Sequence, residues 1–367
     1  MPESPRLKLL PRLLLSGGAI ALTCLSLEIG IRVVDAKAGR GFFSSHRNLL
    51  LEATPLLPFR TFGFDQYQEV GGQRYISGRR GELYSFKKPP GVFRIVCFGG
   101  STTEQRSDEG VQYPLRLQQL LRERLGRDNI EVINLGFSAY ATPHFLIQLE
   151  LDVLSWEPDL LILSENINDL TASYFENFTP DYSNKYRHPF YSVPDYRSRF
   201  TRANVLFQDV QLYWITRAFV ESRLFPPSRI DIRRASLGDQ PLPEAQQVFE
   251  RNLRSFVALA RTNGIGVVLA SQPLEPGRDF FDQQMAYKPY ANITLYPLHE
   301  EFLKHHLSYN RTIEKVARET GGWFLDNNSE FGGDRKYFID MVHYSSAGID
   351  RLAENYANFI LSQKIVR

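Results

Sequence analysis

Four short stretches of this chain hold side chains that acyl transfer could use. They are Gly99-Gly100-Ser101, Asn134-Leu135-Gly136, Asn166-Ile167-Asn168-Asp169 and Asp340-Met341-Val342-His343. Acyl transfer needs a nucleophile, a base that is neutral near pH 7, a group that orients the base, and donors aimed at the developing oxyanion. Ser101 supplies the first. His343 can take its proton, and Asp340, three residues earlier, can hold the other ring nitrogen and fix the tautomer. The backbone N–H groups of Ser101 and Gly136, with the side-chain amide of Asn168, would form the oxyanion hole.

Each residue also has an ordinary reading. Ser101 could cap the following helix, Asn168 could form a turn, Gly136 could be a loop glycine, Asp340 could cap a helix and His343 could be a surface histidine. Two other motifs do not fit. A Walker phosphate loop needs a lysine before the serine, and a nucleophile elbow needs a second glycine where Thr103 stands. Taken one at a time the residues decide nothing, so the elements that carry them must.

The run Ile95–Phe98 is short, apolar and stopped by two glycines, which predicts a buried strand. Beyond Gly100, Tyr113, Leu117, Leu120, Leu121 and Leu125 recur at three- and four-residue steps, the stripe of an amphipathic helix. The same alternation continues along the chain. Strands are expected at Arg94–Phe98, Glu131–Leu135, Leu160–Leu163, Val267–Ala270 and Trp323–Leu325. Helices are expected around Tyr113–Leu125, His144–Leu154, Ala245–Thr262, Glu300–Glu319 and Ala347–Leu361, the last capped by Ser345 or Ser346. Such alternation implies an α/β fold, a three-layer α/β/α sandwich on a mostly parallel five-stranded sheet. In such sheets the carboxyl ends of the strands share one crevice, and each of the four stretches falls at a strand end or just before a helix.

The 367 residues are 43% hydrophobic and 23% charged, an ordinary globular composition, and the net charge of +2 without a basic run gives nucleic-acid binding no support. Cys24 and Cys97 lie in unrelated apolar segments, and no cysteine or histidine spacing suggests a metal; no cofactor is expected. Arg6, Lys8 and Arg12 precede an apolar segment, residues 13–34, interrupted by Glu28 and Arg32, which can pair four apart on a helix. Residues 1–35 are expected to be a cytoplasmic N-terminus and transmembrane anchor, with the remainder outside. A cleaved signal peptide ending near Ala36-Lys37-Ala38 is the competing reading. Residues 36–92 are read as a linker and a small β-rich apron, with Phe59, Phe62, Phe64, Tyr67, Tyr75 and Tyr84 packing on the main domain. Residues 93–367 form that domain. An aromatic insertion at 170–243 is either a lid or a peripheral subdomain. His46, His144, His188 and His299 lack a comparable partner pattern and are left structural.

With its elements in place, the chain resembles the SGNH hydrolases, the GDSL esterase/lipase superfamily, over roughly residues 93–363. Ser101, Gly136, Asn168 and His343 match the four named residues in order and context, and Asp340 matches the Asp-x-x-His motif. The Gly-Gly-Ser-Thr-Thr form of the first motif suggests the membrane-anchored bacterial members. Two positions depart. Gly100 replaces the aspartate of Gly-Asp-Ser, and Asn166 replaces the glycine of Gly-x-Asn-Asp, a position where asparagine would tolerate a left-handed backbone. The resemblance implies a flavodoxin-like sheet and ester cleavage through an acyl-enzyme on Ser101. Activity is expected to fall as acid protonates His343. The expected partners are an ester substrate, in particular an acylated glycan, and the membrane. Two further readings stay open: a glycan O-acetyltransferase using the same site, and a non-catalytic glycan-binding protein. Oligomeric state is not legible.

Overall fold

The structure is a computed structural model that describes residues 5–37, 51–52, 60–61, 66–78, 82–175, 177–186, 203, 206–207, 209–224, 233–286 and 295–366. The chain forms two compact units, one of Met1–Ala53 with Ser192–Arg229 and the other of Thr54–Tyr191 with Ile230–Arg367. The 170–243 insertion is thus divided between them. Phe59, Phe62, Phe64, His46 and His188 lie outside the described residues.

The larger unit opens with three short strands, β1 (Tyr67–Val70), β2 (Gln73–Ser77) and β3 (Leu83–Ser85), in an antiparallel sheet. Two of its aromatics reach the main sheet's flank. Tyr67 meets Trp156 edge to face, and the Tyr84 hydroxyl donates to Val132 O. Arg94, fully buried, ties this sheet to the main one: it donates to Glu131 Oε2 at 2.8 Å, Trp156 O at 2.6 Å and Ser85 O at 2.8 Å.

The main sheet has five parallel strands, β4 (Phe93–Gly99), β5 (Ile130–Gly136), β6 (Leu160–Ser164), β7 (Gly266–Ala270) and β8 (Trp323–Leu325), in the spatial order β8-β7-β6-β4-β5. These are the five runs expected from hydrophobic patterning, the first four lengthened by a residue or two and β8 with the expected bounds. β4 is buried on both faces, which is why it reads as a continuous apolar run. Its side chains alternate. Ile95 and Cys97 face α3 (Tyr113–Leu125) and the C-terminal helix, with Leu117, Leu121, Leu352 and Tyr356 in one core. Phe98 packs the other way, edge to face on Phe145 of α4 (Thr142–Leu151) and Phe256 of α7 (Pro243–Thr262). α8 (His299–Thr320) lies on that second face, where Tyr309 stacks on Phe249. α9 (Ser346–Ser362) closes the chain, and Ser345 caps it by accepting from Gly348 N. The three layers put Gly99, Gly136 and Ser164 at one sheet edge, in register with one another.

The smaller unit contains α1 (Pro5–Lys37) and α6 (Gln211–Leu224). Within α1, Leu15–Lys37 is long and apolar enough to cross a membrane by length and composition, and it is not buried inside the protein.

Candidate active site

β4 ends at Gly99, and the chain turns through Gly100 into α2 (Ser101–Glu104). That turn is crowded. A Cβ on Gly100 would stand 2.5 Å from both Asn168 Nδ2 and Glu165 Oε2, so any larger residue would displace those two side chains. Ser101 is the first residue of the helical turn, where an N–H has no partner within the helix. Among the described residues no acceptor meets it, which leaves it able to face a substrate oxygen.

The segment before α9, far along the chain, brings in the base. The side chain of His343 reaches Ser101, with Nε2 to Oγ at 2.8 Å. Its Nδ1 meets Asp340 Oδ2 at 2.7 Å, while Asp340 Oδ1 accepts from the backbone N–H groups of Val342 at 2.9 Å and His343 at 2.8 Å. A carboxylate only accepts, so Nδ1 carries the proton and Nε2 is left as acceptor for the serine hydroxyl. Burial disfavours ionisation of Asp340, but the His343 contact and the two amides outweigh it and hold the carboxyl below its ordinary range.

Asn168 lies in α5 (Ile167–Ala172), just past the end of β6. Its Nδ2 donates to Tyr140 O at 3.0 Å and sits against Gly100, beside Ser101. Gly136 ends β5, packed so closely on α2 that a Cβ would meet Glu104 N at 2.5 Å and Thr103 C at 2.7 Å. Its N–H, expected to face the substrate, donates to Asn134 Oδ1 at 2.8 Å. The role visible for Gly136 is therefore close approach of two backbones. Asn166 also differs from expectation: its φ of −150° is not left-handed, and its side chain donates to His306 O and Asn310 Oδ1.

Two residues that sequence reasoning passed over hold these parts together. Glu165 Oε2 accepts from Gly100 N at 2.9 Å, and its Oε1 accepts from Asn168 N at 2.9 Å and Asn166 N at 3.1 Å. One carboxylate thus spans the serine turn and the asparagine turn. Below it, Lys185 Nζ donates to Asn168 O at 2.8 Å and Thr171 Oγ1 at 3.0 Å, with Asn168 Oδ1 at 3.4 Å. Both side chains are fully buried. Burial pushes Glu165 up to about 7, against the Asn168 amide and the Lys185 charge; it pushes Lys185 down to about 8, against Glu165 and Asp169. Asp169 rises to about 6 through burial, though it accepts from Thr142 and Tyr182. The only sequence signal for Glu165 is a charge directly after an apolar strand. Lys185 had none.

The first part of the insertion therefore buttresses the site from beneath: Lys185 and Tyr182 bond there, and Tyr186 donates to Ala139 O. Of the histidines left aside, His144 and His299 are among the described residues. His144 Nδ1 accepts from Ala141 N, with its pKa lowered to about 3 by burial and the Lys185 charge, and His299 bonds Pro276 O. Among the described residues no group of three or more His, Cys, Asp or Glu side chains could hold a metal ion.

A model of the GDSL-like lipase/acylhydrolase family matches residues 97–351. No curated protein sequence matches the chain. Among solved structures, an acetylxylan esterase from Geobacillus stearothermophilus is similar, at 18% identity and a TM-score of 0.44, covering 75% of this chain and 96% of that one. A lipase/acylhydrolase from Enterococcus faecalis is similar at 16% identity and a TM-score of 0.44, covering 74% of this chain and 97% of that one.

Proposed function

This chain belongs to the GDSL-like lipase/acylhydrolase family and is an ester-hydrolysing enzyme, and from that premise we propose that it works through an acyl-enzyme on Ser101. The observation that carries this reading is the unbroken line from Ser101 Oγ through His343 to Asp340, with contacts of 2.8 and 2.7 Å. Oγ attacks the ester carbonyl while His343 Nε2 takes its proton. Negative charge develops on the carbonyl oxygen, where the Ser101 N–H and the Asn168 amide are its donors. The imidazolium, stabilised by Asp340, then protonates the leaving alcohol. Water enters, His343 accepts its proton, and the acid is released as Oγ recovers a proton. Gly136 serves this reading by letting strand and helix meet, with its N–H joining the hole only if it leaves Asn134.

We assign residues 1–35 to a cytoplasmic segment and membrane anchor, 36–92 to a linker and apron, and 93–367 to the hydrolase domain. The basic residues before the apolar helix put that domain outside the cytoplasm. Substrates there would be short acyl esters, and O-acetyl groups on carbohydrate are the natural class at that address. The test is turnover of p-nitrophenyl acetate and of an O-acetylated oligosaccharide by full-length protein in detergent. Ser101→Ala should lower kcat by about 10³-fold or more with unchanged folding. Retained turnover in that variant would remove Ser101 as nucleophile. Acceleration by an added carbohydrate hydroxyl acceptor would redirect the acyl-enzyme from hydrolysis to transfer.

A further inference from the structure

A carboxylate inside an apolar helix is costly in a bilayer unless its oxygens find donors. Glu28 of α1 finds three: Arg32 Nε at 2.8 Å and Gln211 N at 3.0 Å on Oε1, and Leu212 N at 2.7 Å on Oε2. Arg32 also donates to Asp209 O. The two amides belong to the first turn of α6, so the acid of one helix caps the N-terminus of another. The charges that interrupt the apolar segment are thereby the joint that attaches α6 to it.

The outward face of α6 is the wrong one for water. Ile215, Phe219 and Val220 are 43%, 60% and 36% exposed, and Leu206 and Phe207 just before the helix are 74% and 41% exposed. A surface helix in water presents polar residues outward. The cations here lie over rings, with Arg223 5.2 Å from the Phe219 ring centre and Arg217 5.4 Å from that of Trp214. α1 is exposed in the same manner through Leu25, Ile29 and Val33. Fourteen residues make a helix about 21 Å long, short of the roughly 30 Å hydrocarbon core, so α6 cannot cross. Glu28 and Arg32 both stand in the C-terminal half of the candidate span, on the side away from the N-terminus.

We propose that α6 is an interfacial membrane helix, held by Glu28 in the outer half of the anchor, with Ile215, Phe219 and Val220 among the acyl chains of a phospholipid bilayer and the arginines at its head groups. The chain would then be attached by a spanning helix and a surface helix together. This rests on the anchor reading above.

Trp214 gives the test, because Trp156 and Trp323 are the only other tryptophans. Full-length protein is reconstituted in phosphatidylcholine/phosphatidylglycerol vesicles, and the Trp214 signal is taken as the difference between wild type and Trp214→Phe. Lipids brominated on the acyl chains should quench that signal by about half or more, while aqueous iodide should leave it nearly unchanged. The same should hold for Phe219→Trp placed in the Trp214→Phe background. Flotation of each sample separates the two readings. Protein that floats while both reporters are quenched by iodide and not by bromolipid overturns the interfacial helix and leaves the anchor standing. Protection from both quenchers, meaning that another protein surface covers α6, overturns it equally. Protein that does not float removes the anchor, and this proposal with it.

Discussion

Asp340 and Glu165 are both carboxylates that accept from two or more backbone amides, yet they do different work. Asp340 faces His343, and that contact with the two amides holds its carboxyl below its ordinary range against burial, so it keeps its charge as the pH falls. Asp340→Asn should lower kcat on the order of 10²–10⁴-fold with little change in KM, because the amide fixes the wrong tautomer. Steady-state kinetics on the purified variant checks it, and unchanged kcat would count against the orienting role. Glu165 is different: the three amides it accepts from favour its ionised form, and burial opposes that. Lys185 offsets the burial. Removing its charge raises the Glu165 pKa further, so Lys185→Met should move the acid limb of the kcat–pH profile to higher pH. In the wild type the same pair should weaken as pH rises past about 8 and Lys185 loses its proton. Identical profiles for wild type and Lys185→Met would make Lys185 a structural residue only.

At the scale of elements, the site depends on how closely α2 approaches β5 and α5. Gly100→Ala puts a methyl into the Asn168 and Glu165 side chains, which can move at the expense of the oxyanion geometry. A loss of kcat of at least about tenfold with a cooperative melt retained is expected. Gly136→Ala meets backbone atoms, which cannot move aside as a side-chain end does. It should cost about 1–3 kcal/mol of stability as well as activity, read by chemical denaturation. Arg94 is the corresponding tie between the small antiparallel sheet and β4. Arg94→Ala leaves Glu131 without its partner and should destabilise by about 3–5 kcal/mol while leaving KM alone.

For the whole molecule, Ser101, Gly136, Asn168, Asp340 and His343 all belong to the larger unit, and so do Glu165 and Lys185. Residues 54–367 with 192–229 replaced by a short Gly-Ser linker should therefore turn over p-nitrophenyl acetate within about an order of magnitude of the full chain. The replaced protein should also stay in the supernatant when vesicles are floated. A folded but inactive product would mean that the smaller unit contributes to catalysis.

The sequence by itself determined the five strands, the long helices and the strand-end placement of Ser101 and Asn168, because each is written in local periodicity and in a residue type at a break. Buried parallel strands are short apolar runs, and their carboxyl ends converge whatever the loops do. The Asp340–His343 pairing was legible for the same reason, since three residues of separation suffice for it. What only the tertiary structure decided is whatever depends on two distant segments meeting. Lys185 looks like any charge in a polar insertion until folding takes it under Asn168. Glu165 gains its meaning from the amide of Gly100, and Gly136 from the backbone of Thr103 and Glu104 that packs against it. Glu28 and Arg32 read as a pair on one helix; their attachment to Gln211 and Leu212 spans 183 and 184 residues, a separation at which no local pattern survives.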